Sequence, residues 1–277
     1  MNYRHIYHAG NFADVLKHAV LAETVRRLLE KPAPFFALDT HAGIGIYDLE
    51  DERAQKTAEA QAGILKLMAE AESLPEAFAP YLSALGKLSS RYPGSPRILR
   101  RLMRTEDRLA LCELHPEDFG TLKTHFAQDR NTSVQQMDGW KGIAAFLPPK
   151  EKRGLMLIDP PFEQPGELDR MAQAAIAAHK RWPQGIQILW YPIKDMAAIW
   201  NFHETLAQSG IPGSILALNL MLHAPKDTAH LNGCGLVIIN PPWQAEVAYA
   251  EILAACARLF ADSDAPASRL SWISPAL

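Results

Sequence analysis

The sequence predicts an α/β protein with a doubly wound, mainly parallel sheet of seven strands and a small helical insertion. Seven short runs have strand character, and most are almost continuously apolar, which is typical of strands covered by helices on both faces. These runs lie at residues 35–38, 109–112, 134–137, 154–158, 186–190, 215–222 and 235–239. Helical stretches at 13–29, 169–181 and 196–208 alternate with several of the runs, as in repeated βαβ units.

The spacing of the strands departs from this regular alternation at two places. About 70 residues separate the first two strands, where a crossover normally takes a few tens. Residues 51–90 are rich in Ala, Glu and Leu, so we predict a helical insertion subdomain there, with Pro75 starting its second helix. Residues 1–50 and 91–277 then form the main domain. The last two strands lie close together after a long gap, which predicts an antiparallel final pair.

Composition limits the class of protein. The chain has 277 residues and a formal net charge of −3, which argues against an indiscriminate polyanion binder. No apolar run approaches the roughly 18 residues of a membrane span, and the first residues lack the pattern of a secretory signal, so we expect a cytoplasmic protein without a membrane segment. Cys112, Cys234 and Cys256 are far apart in sequence, which favours buried free thiols over zinc or disulfide sites.

A glycine-containing turn follows the first strand and predicts a nucleotide-type pocket. The turn runs from Asp39 to Gly45 and includes Gly43, where the backbone can approach a ligand closely. The third glycine of the dinucleotide fingerprint and a phosphate-binding Lys-Ser/Thr pair are both absent, so NAD and ATP are disfavoured. S-adenosylmethionine has no pyrophosphate and fits this shorter turn better. An acid after each of the next two strands suits its other parts: Glu113 for the ribose hydroxyls and Asp138, before Gly139, for the adenine amine.

The tetrapeptide Asp159-Pro160-Pro161-Phe162 points to methylation of an aromatic amine. Such an amine is a poor nucleophile, because its lone pair is delocalised into the ring. Asp159 and the Pro160 carbonyl can accept its two hydrogens and favour a pyramidal nitrogen, while Phe162 stacks on the extruded base. Asn240-Pro241-Pro242-Trp243 has the same form. We favour Asp159, because its strand lies at the switch point of the sheet, whereas we expect the strand of Asn240 to lie farther out.

Two further segments are dense in polar groups. The run 87–104 carries six basic residues and no acid, which fits either a nucleic-acid contact or a solvated helix face. In the N-terminal segment, His5 and His8 have a spacing compatible with a metal, but no third ligand stands nearby, so we expect no metal site. Asn11 is expected to cap the helix that begins at Phe12.

Several of these motifs occur together, in order, in one known family. The segments are YRHIYHAGNFADVLKH, DTHAG, YPGSP, ELHP, the Asp-Gly pair, LIDPPF, LWYP and NPPW. With them the chain resembles the bacterial 23S ribosomal RNA adenine-N6 methyltransferases of the J type over essentially its whole length. The N-terminal block is highly specific, whereas DPPF alone is shared with DNA adenine methyltransferases. The resemblance implies a Rossmann-like class I S-adenosylmethionine-dependent methyltransferase fold.

The resemblance also implies roles for individual residues. Cofactor contacts fall on His18, His41, Ser95, Glu113, Asp138, Gly139 and Asp159, in addition to Gly43, which is expected from the turn itself. Asp159, Pro160 and Phe162 are the catalytic members of the tetrapeptide 159–162, whose last residue is usually Tyr in the family, so a hydroxyl there cannot be essential in this chain. Tyr3 takes the place of the aromatic residue that meets the RNA, with His5 and Lys17 beside it. Family members act as monomers on protein-free RNA without a metal.

Two other classes of protein remain possible from the sequence. A DNA adenine methyltransferase would need a target-recognition region, and the insertion of about 40 residues is small for a separate domain. An RNA-binding or assembly protein could keep this fold without turnover, although acceptor residues stand at all the predicted positions. An NAD-linked oxidoreductase is the weakest alternative, because the glycine pattern is truncated.

Overall fold

A computed structural model describes residues 4–87, 89–225 and 227–274 of the chain, which form an eight-stranded sheet with helices on both faces. The strands in chain order are β1 Phe36–Asp39, β2 Ile46–Asp48, β3 Arg91–Pro93, β4 Arg108–Glu113, β5 Thr132–Gln136, β6 Gly154–Ile158, β7 Ile186–Ile193, β8 Ile215–Met221, β9 Gly233–Ile239 and β10 Arg269–Ser274. The order across the sheet is β10-β8-β9-β7-β6-β1-β4-β5, and β2 and β3 form a separate antiparallel pair.

The sheet is parallel from β5 to β7, and β9 then runs antiparallel to both β7 and β8. The predicted fold class and the antiparallel pair of β8 and β9 are therefore confirmed, but the predicted count of seven strands is wrong by one. The missed strand, β10, pairs antiparallel with β8 at the edge of the sheet. It alternates polar and apolar residues and is only half-buried, so it lacks the continuous apolar run that marked the central strands.

Ten α-helices connect these strands in the described part of the chain. They are α1 Phe12–Leu29, α2 Glu52–Thr57, α3 Lys66–Ala69, α4 Ala79–Leu85, α5 Ser95–Leu102, α6 Pro116–His125, α7 Gly139–Phe146, α8 Glu167–Arg181, α9 Met196–Ala207 and α10 Ala245–Phe260. Successive residues of β6 face opposite sides of the sheet: Leu155 and Leu157 join the core beneath α1 and α10, and Met156 and Ile158 join the core beneath α8 and α9. No helix among the described residues is long and apolar enough to cross a membrane.

Helix α1 is almost wholly buried, because α10, α5 and the segment predicted as an insertion all pack against it. Asn11 caps α1 as predicted, since its Oδ1 accepts a hydrogen bond of 2.9 Å from the Asp14 amide. Ile64 and Tyr81, from the helical segment 51–90, are fully buried in the same core as α1. Pro75 precedes the short 3₁₀ turn Glu76–Phe78 that leads into α4. The boundaries of the insertion at 51 and 90 stay a prediction.

Four of the five arginines in the basic run 87–104 donate to backbone carbonyl groups: Arg97, Arg100, Arg101 and Arg104. Arg101 donates to the carbonyl groups of Ala84 and Leu85, just where α4 ends. Arg104 donates to three carbonyls of the loop before β1 and pairs with the buried carboxylate of Asp107. Cations near the ends of helices satisfy carbonyls that have no partner within the helix. The geometry therefore favours the structural interpretation of this run over a nucleic-acid contact.

The three cysteines are buried free thiols, as the sequence predicted. Burial raises the pKa of Cys112 and of Cys234 to about 12, so both thiols are held protonated.

Candidate functional site

A cavity of 640 Å³ opens at the carboxyl-terminal edge of the parallel strands, where the loops after β1, β4 and β6 meet. This is the edge at which open α/β sheets bind their ligands. Every predicted site residue within the described residues lines this cavity. They are His5, Lys17, His18, His41, Gly43, Ser95, Glu113, Asp138, Gly139, Asp159, Pro160 and Phe162. Tyr3, the predicted RNA contact, lies outside the described residues.

The glycine turn after β1 is bonded directly to Glu113 at the end of β4. Gly43 has a φ of 61°, in the left-handed region that favours glycine, and its amide donates a hydrogen bond of 2.9 Å to Glu113 Oε2. The His115 amide donates to Glu113 Oε1 at 2.7 Å. Burial raises the pKa of the Glu113 carboxyl, and the two amide bonds oppose this shift. Each carboxylate oxygen keeps a second lone pair, so the fixed carboxylate can still accept from a ligand hydroxyl.

Asp39, at the end of β1, supports the glycine turn through its buried carboxylate. It is fully buried, and the Ser95 hydroxyl at the start of α5 donates to its Oδ2 at 2.6 Å. Burial raises the pKa of Asp39 to about 6, opposed by the Ser95 bond, and the nearby charge of Asp159 adds to the rise. From the sequence, Asp39 is recognisable only as the start of the glycine turn. Its position directly after a buried strand was the available signal for a supporting role.

The start of α7 presents Asp138 and Gly139 to the cavity. Asp138 caps this helix, because its Oδ1 accepts from the Trp140 amide at 2.9 Å. A Cβ atom on Gly139 would lie 2.1 Å from the carbonyl oxygen of Thr40, so only glycine fits here. Close contact between α7 and the loop after β1 therefore shapes this side of the cavity.

Two histidines, the buried His18 and the half-buried His41, line the cavity in the neutral form. Burial lowers the pKa of His41 to about 4 and that of His18 to about 3. His18 Nδ1 lies 2.7 Å from the Tyr92 hydroxyl, which is bonded in turn to Tyr81. Among the described residues, His18 Nε2 is buried and has no hydrogen-bond partner. A buried polar atom of this kind is costly unless a ligand or water satisfies it.

The tetrapeptide Asp159-Pro160-Pro161-Phe162 contacts α1 on one side and β7 on the other. The Lys17 ammonium lies 2.6 Å from Asp159 Oδ2. Phe162 has a φ of 53°, a conformation rarely adopted by residues other than glycine. Its ring meets Trp190 of β7 edge-on, with centroids 5.8 Å apart. Packing against Trp190 therefore helps to hold Phe162 in a strained turn that directs its ring into the cavity wall.

The N-terminal segment borders the same cavity and is bonded to the rest of the molecule at several points. Arg4 pairs with Glu117 and Asp118 in the first turn of α6, both at 2.9 Å. His5 Nε2 lies 3.0 Å from Asp14 Oδ2, and Asp14 also contacts Lys17. Asp14 is not among the residues predicted for the site, although its i,i+3 spacing from Lys17 within the polar N-terminal block is a usable signal. The described residues contain no group of three or more His, Cys, Asp or Glu arranged to hold a metal.

The competing motif at Asn240 lies at the amino-terminal ends of the parallel strands, opposite the ends that border the cavity. Strand β9 runs antiparallel to β7, and its last residue, Ile239, pairs with Gln187 near the start of β7. The Asn240 amide donates to the carbonyls of Pro183 and Gly185, which are also at that end of the strands. The prediction that Asn240 ends the last strand is wrong, since β10 follows. The prediction that Asn240 is a structural residue and not the catalytic one agrees with this geometry.

The residues present fit S-adenosylmethionine. The cavity offers a fixed carboxylate at Glu113, a backbone surface at Gly43 and Gly139 where side chains would collide, and the unsatisfied Nε2 of His18. The Glu113 carboxylate suits the hydroxyl groups of the ligand, the backbone surface suits its adenine, and His18 Nε2 suits its amino-acid part. Their cofactor roles stay predictions.

Comparison with known proteins gives concordant matches over almost the whole chain. A family model described as ribosomal RNA large subunit methyltransferase D, RlmJ, matches residues 32–274. The ribosomal RNA large subunit methyltransferase J of Haemophilus influenzae is 37% identical over 281 residues, and that of Escherichia coli is 36% identical over 280 residues. Each alignment covers 99% of both chains. A crystal structure of a Legionella pneumophila protein, 33% identical, superposes with a TM-score of 0.86 over 95% of this chain and 98% of that one.

Proposed function

Because the chain belongs to the RlmJ family of ribosomal RNA large subunit methyltransferases, we propose that Asp159 presents the N6 amine of an adenine in 23S ribosomal RNA for methylation. The chain is an S-adenosylmethionine-dependent RNA methyltransferase. The position of Asp159 supports the proposal most directly, since its carboxylate lines the cavity and is fixed there by Lys17. We propose further that the enzyme is a monomer and that it acts in the cytoplasm on protein-free RNA.

S-adenosylmethionine supplies an electrophilic methyl group when it is bound. In the proposed arrangement Glu113 accepts hydrogen bonds from its ribose hydroxyls, and Asp138 and the surface at Gly139 receive its adenine. Ser95, supported by the buried Asp39, and the neutral His18 and His41 are the remaining contacts that we assign to it. These groups are fixed before binding by hydrogen bonds within the protein, which lowers the cost of ordering the site.

Asp159 and Pro160 act on the adenine amine. Lys17 contacts Asp159 Oδ2, so we assign Oδ1 and the Pro160 carbonyl as acceptors of the two amine hydrogens. Both bonds favour a pyramidal nitrogen whose lone pair points at the methyl carbon, and positioning of this kind can lower a barrier by several kcal/mol. The nitrogen becomes positively charged as the new N–C bond forms and the methyl carbon–sulfur bond of the donor breaks, so that S-adenosylhomocysteine would be the leaving group. Asp159 then accepts the proton that the nitrogen releases, and full deprotonation before transfer is unnecessary.

Phe162 provides the stacking surface for the extruded base. Its ring is anchored edge-on by Trp190, so the free face can lie against the adenine. A base that stacks there is removed from its RNA neighbours, and the stacking energy offsets part of that cost. This role needs only the ring, which agrees with Phe in place of the Tyr that is usual in the family.

The proposal is tested by replacing Asp159 and comparing it with the second motif. We expect Asp159→Asn to lower the rate of methyl transfer to unmodified 23S ribosomal RNA by roughly a hundredfold or more, because one acceptor becomes a donor. Binding of S-adenosylhomocysteine, followed by calorimetry, shows that the variant is folded. Asn240→Ala is the matched control and is expected to keep the rate, since Asn240 lies at the opposite edge of the sheet.

Substrate and product identify the reaction in the same experiment. We expect N6-methyladenine in the digested RNA, detected by mass spectrometry, and no methylation of duplex DNA. Methylation of DNA in preference to RNA would replace the proposal by a DNA adenine methyltransferase, and tight RNA binding without any transfer would indicate a non-catalytic protein. Assays that compare protein-free RNA with assembled large subunits test the form of the substrate. Sedimentation of the enzyme tests whether it is a monomer.

A further inference from the structure

Asp14 is a buried carboxylate beside the proposed catalytic group. It lies in the first turn of α1 with only 1% of its surface exposed. Its Oδ2 accepts from the Gly10 amide at 2.9 Å and lies 3.0 Å from His5 Nε2, while its Oδ1 lies 2.8 Å from the Lys17 ammonium. A buried charge costs several kcal/mol unless it is paired, so these contacts are required for Asp14 to remain ionised.

Lys17 joins Asp14 to Asp159. Its ammonium lies 2.8 Å from Asp14 Oδ1 and 2.6 Å from Asp159 Oδ2, and its side chain is 5% exposed. Burial lowers the pKa of Lys17, but the charges of the two carboxylates outweigh this and hold the pKa well above its ordinary value. Lys17 is therefore a fixed cation between an inner and an outer carboxylate.

The local sequence explains why Lys17 points toward Asp159. Residues at positions i and i+3 share one face of a helix, so Asp14 and Lys17 lie on the cavity side of α1. A lysine side chain is long and flexible, and a single carboxylate would leave its ammonium several conformations. The second carboxylate restricts the ammonium to one position, and through it restricts Asp159 Oδ2.

We propose that Asp14 is a positioning residue for methyl transfer, which acts through Lys17 to fix the Asp159 carboxylate and ties His5 to the same network. The inference rests on the proposed function, because Asp159 is taken as the acceptor of the amine hydrogens. Asp14 itself contacts neither the RNA base nor the methyl group in this proposal. Its effect is expected on the rate of transfer at saturation and not on RNA affinity.

Asp14→Asn tests the proposal, with Glu23→Gln as the matched control. Glu23 is also a buried carboxylate on α1, but it pairs with Arg26 and Arg27 away from the cavity. We expect Asp14→Asn to lower kcat roughly tenfold or more while KM for RNA changes by less than about twofold. Glu23→Gln is expected to change stability only. Equal kcat in Asp14→Asn and Glu23→Gln would overturn the proposal.

Two further measurements separate positioning from a purely structural role. Lys17 is expected to lose its proton at lower pH in Asp14→Asn than in the wild type, because burial remains and one carboxylate charge is lost. NMR titration of labelled lysine detects this shift without turnover, and the variant should lose activity at a lower alkaline pH than the wild type. An unchanged Lys17 titration would refute the link between the two residues even if no RNA is methylated.

The double variant Asp14→Asn/Lys17→Gln keeps the test decisive if Asp14→Asn folds poorly. It removes both charges together, so it leaves no unpaired cation beneath the cavity. We expect it to bind S-adenosylhomocysteine, to show the same loss of kcat and to have no alkaline decline in rate. Wild-type kcat in the double variant would contradict the proposal. Failure of the wild-type enzyme on every RNA would instead refute the proposed function.

Discussion

Asp39→Asn is expected to stabilise the protein at neutral pH. Asp39 is fully buried, and its pKa is raised from 3.8 to about 6, so ionising it in the folded state is unfavourable. The shift of about two units corresponds to about 3 kcal/mol at pH 7.5. Asparagine has the same shape and carries no charge. The Ser95 hydroxyl, 2.6 Å away, can donate to it or accept from it.

The sign of the pH dependence makes this prediction specific. Between pH 3.8 and about 6 the folded state binds the Asp39 proton and the unfolded state does not, so this contribution to stability is lost as the pH rises. The advantage of Asp39→Asn in the free energy of unfolding should therefore fall from about 3 kcal/mol at pH 7.5 to about 1.5 kcal/mol at pH 5.

Urea denaturation followed by tryptophan fluorescence measures this difference at both pH values. Comparing two proteins at each pH cancels the titration of all other groups that the substitution leaves unchanged. A variant that is less stable than the wild type at pH 7.5, or an advantage that does not depend on pH, would refute the reasoning. Such a result would mean that the bonds from Ser95 and the His41 amide outweigh the cost of burying the charge.

Two other predictions concern the wall of the cavity and the basic run. Gly139→Ala is expected to weaken binding of S-adenosylhomocysteine roughly tenfold or more, because its Cβ would lie 2.1 Å from the Thr40 carbonyl and α7 must shift. Calorimetry measures this, and unchanged affinity would contradict the contact. Arg104→Ala is expected to lower the free energy of unfolding by about 2–4 kcal/mol, because the buried Asp107 carboxylate loses its cation, while KM for RNA stays within about twofold. A large rise in KM would restore the nucleic-acid interpretation of this run.

The sequence predicted the central strands well and the edges of the fold poorly. Buried parallel strands are nearly continuous apolar runs, and β1, β4, β6 and β7 were found within a few residues of their bounds for that reason. The strands β2, β3 and β10 are short or half-exposed, and their hydrophobic pattern is weak. The cavity residues were predictable because the carboxyl ends of parallel strands meet at one edge.

The contact between Lys17 and Asp159 illustrates what local patterns could not supply. The two residues are 142 positions apart, and nothing in either segment specifies the other as a partner. The pairing follows from the order of strands across the sheet, because β6 lies next to β1 and beneath α1. The role of Asp14 depends on the same long-range contact. Its helical spacing from Lys17 was visible, but the second carboxylate that makes the spacing important was not.

The two acceptor-Pro-Pro-aromatic motifs show how strand direction, more than local chemistry, decides which one can meet the cofactor. Both follow buried strands, and both present an amide or carboxylate oxygen before two prolines. Strand β6 runs toward the cavity edge and delivers Asp159 there, whereas β9 runs the other way and delivers Asn240 to the opposite edge. The predicted strand position favours Asp159, and the antiparallel direction of β9 gives a stronger reason for the same preference. Exchanging the side chains of Asp159 and Asn240 would therefore not exchange their roles.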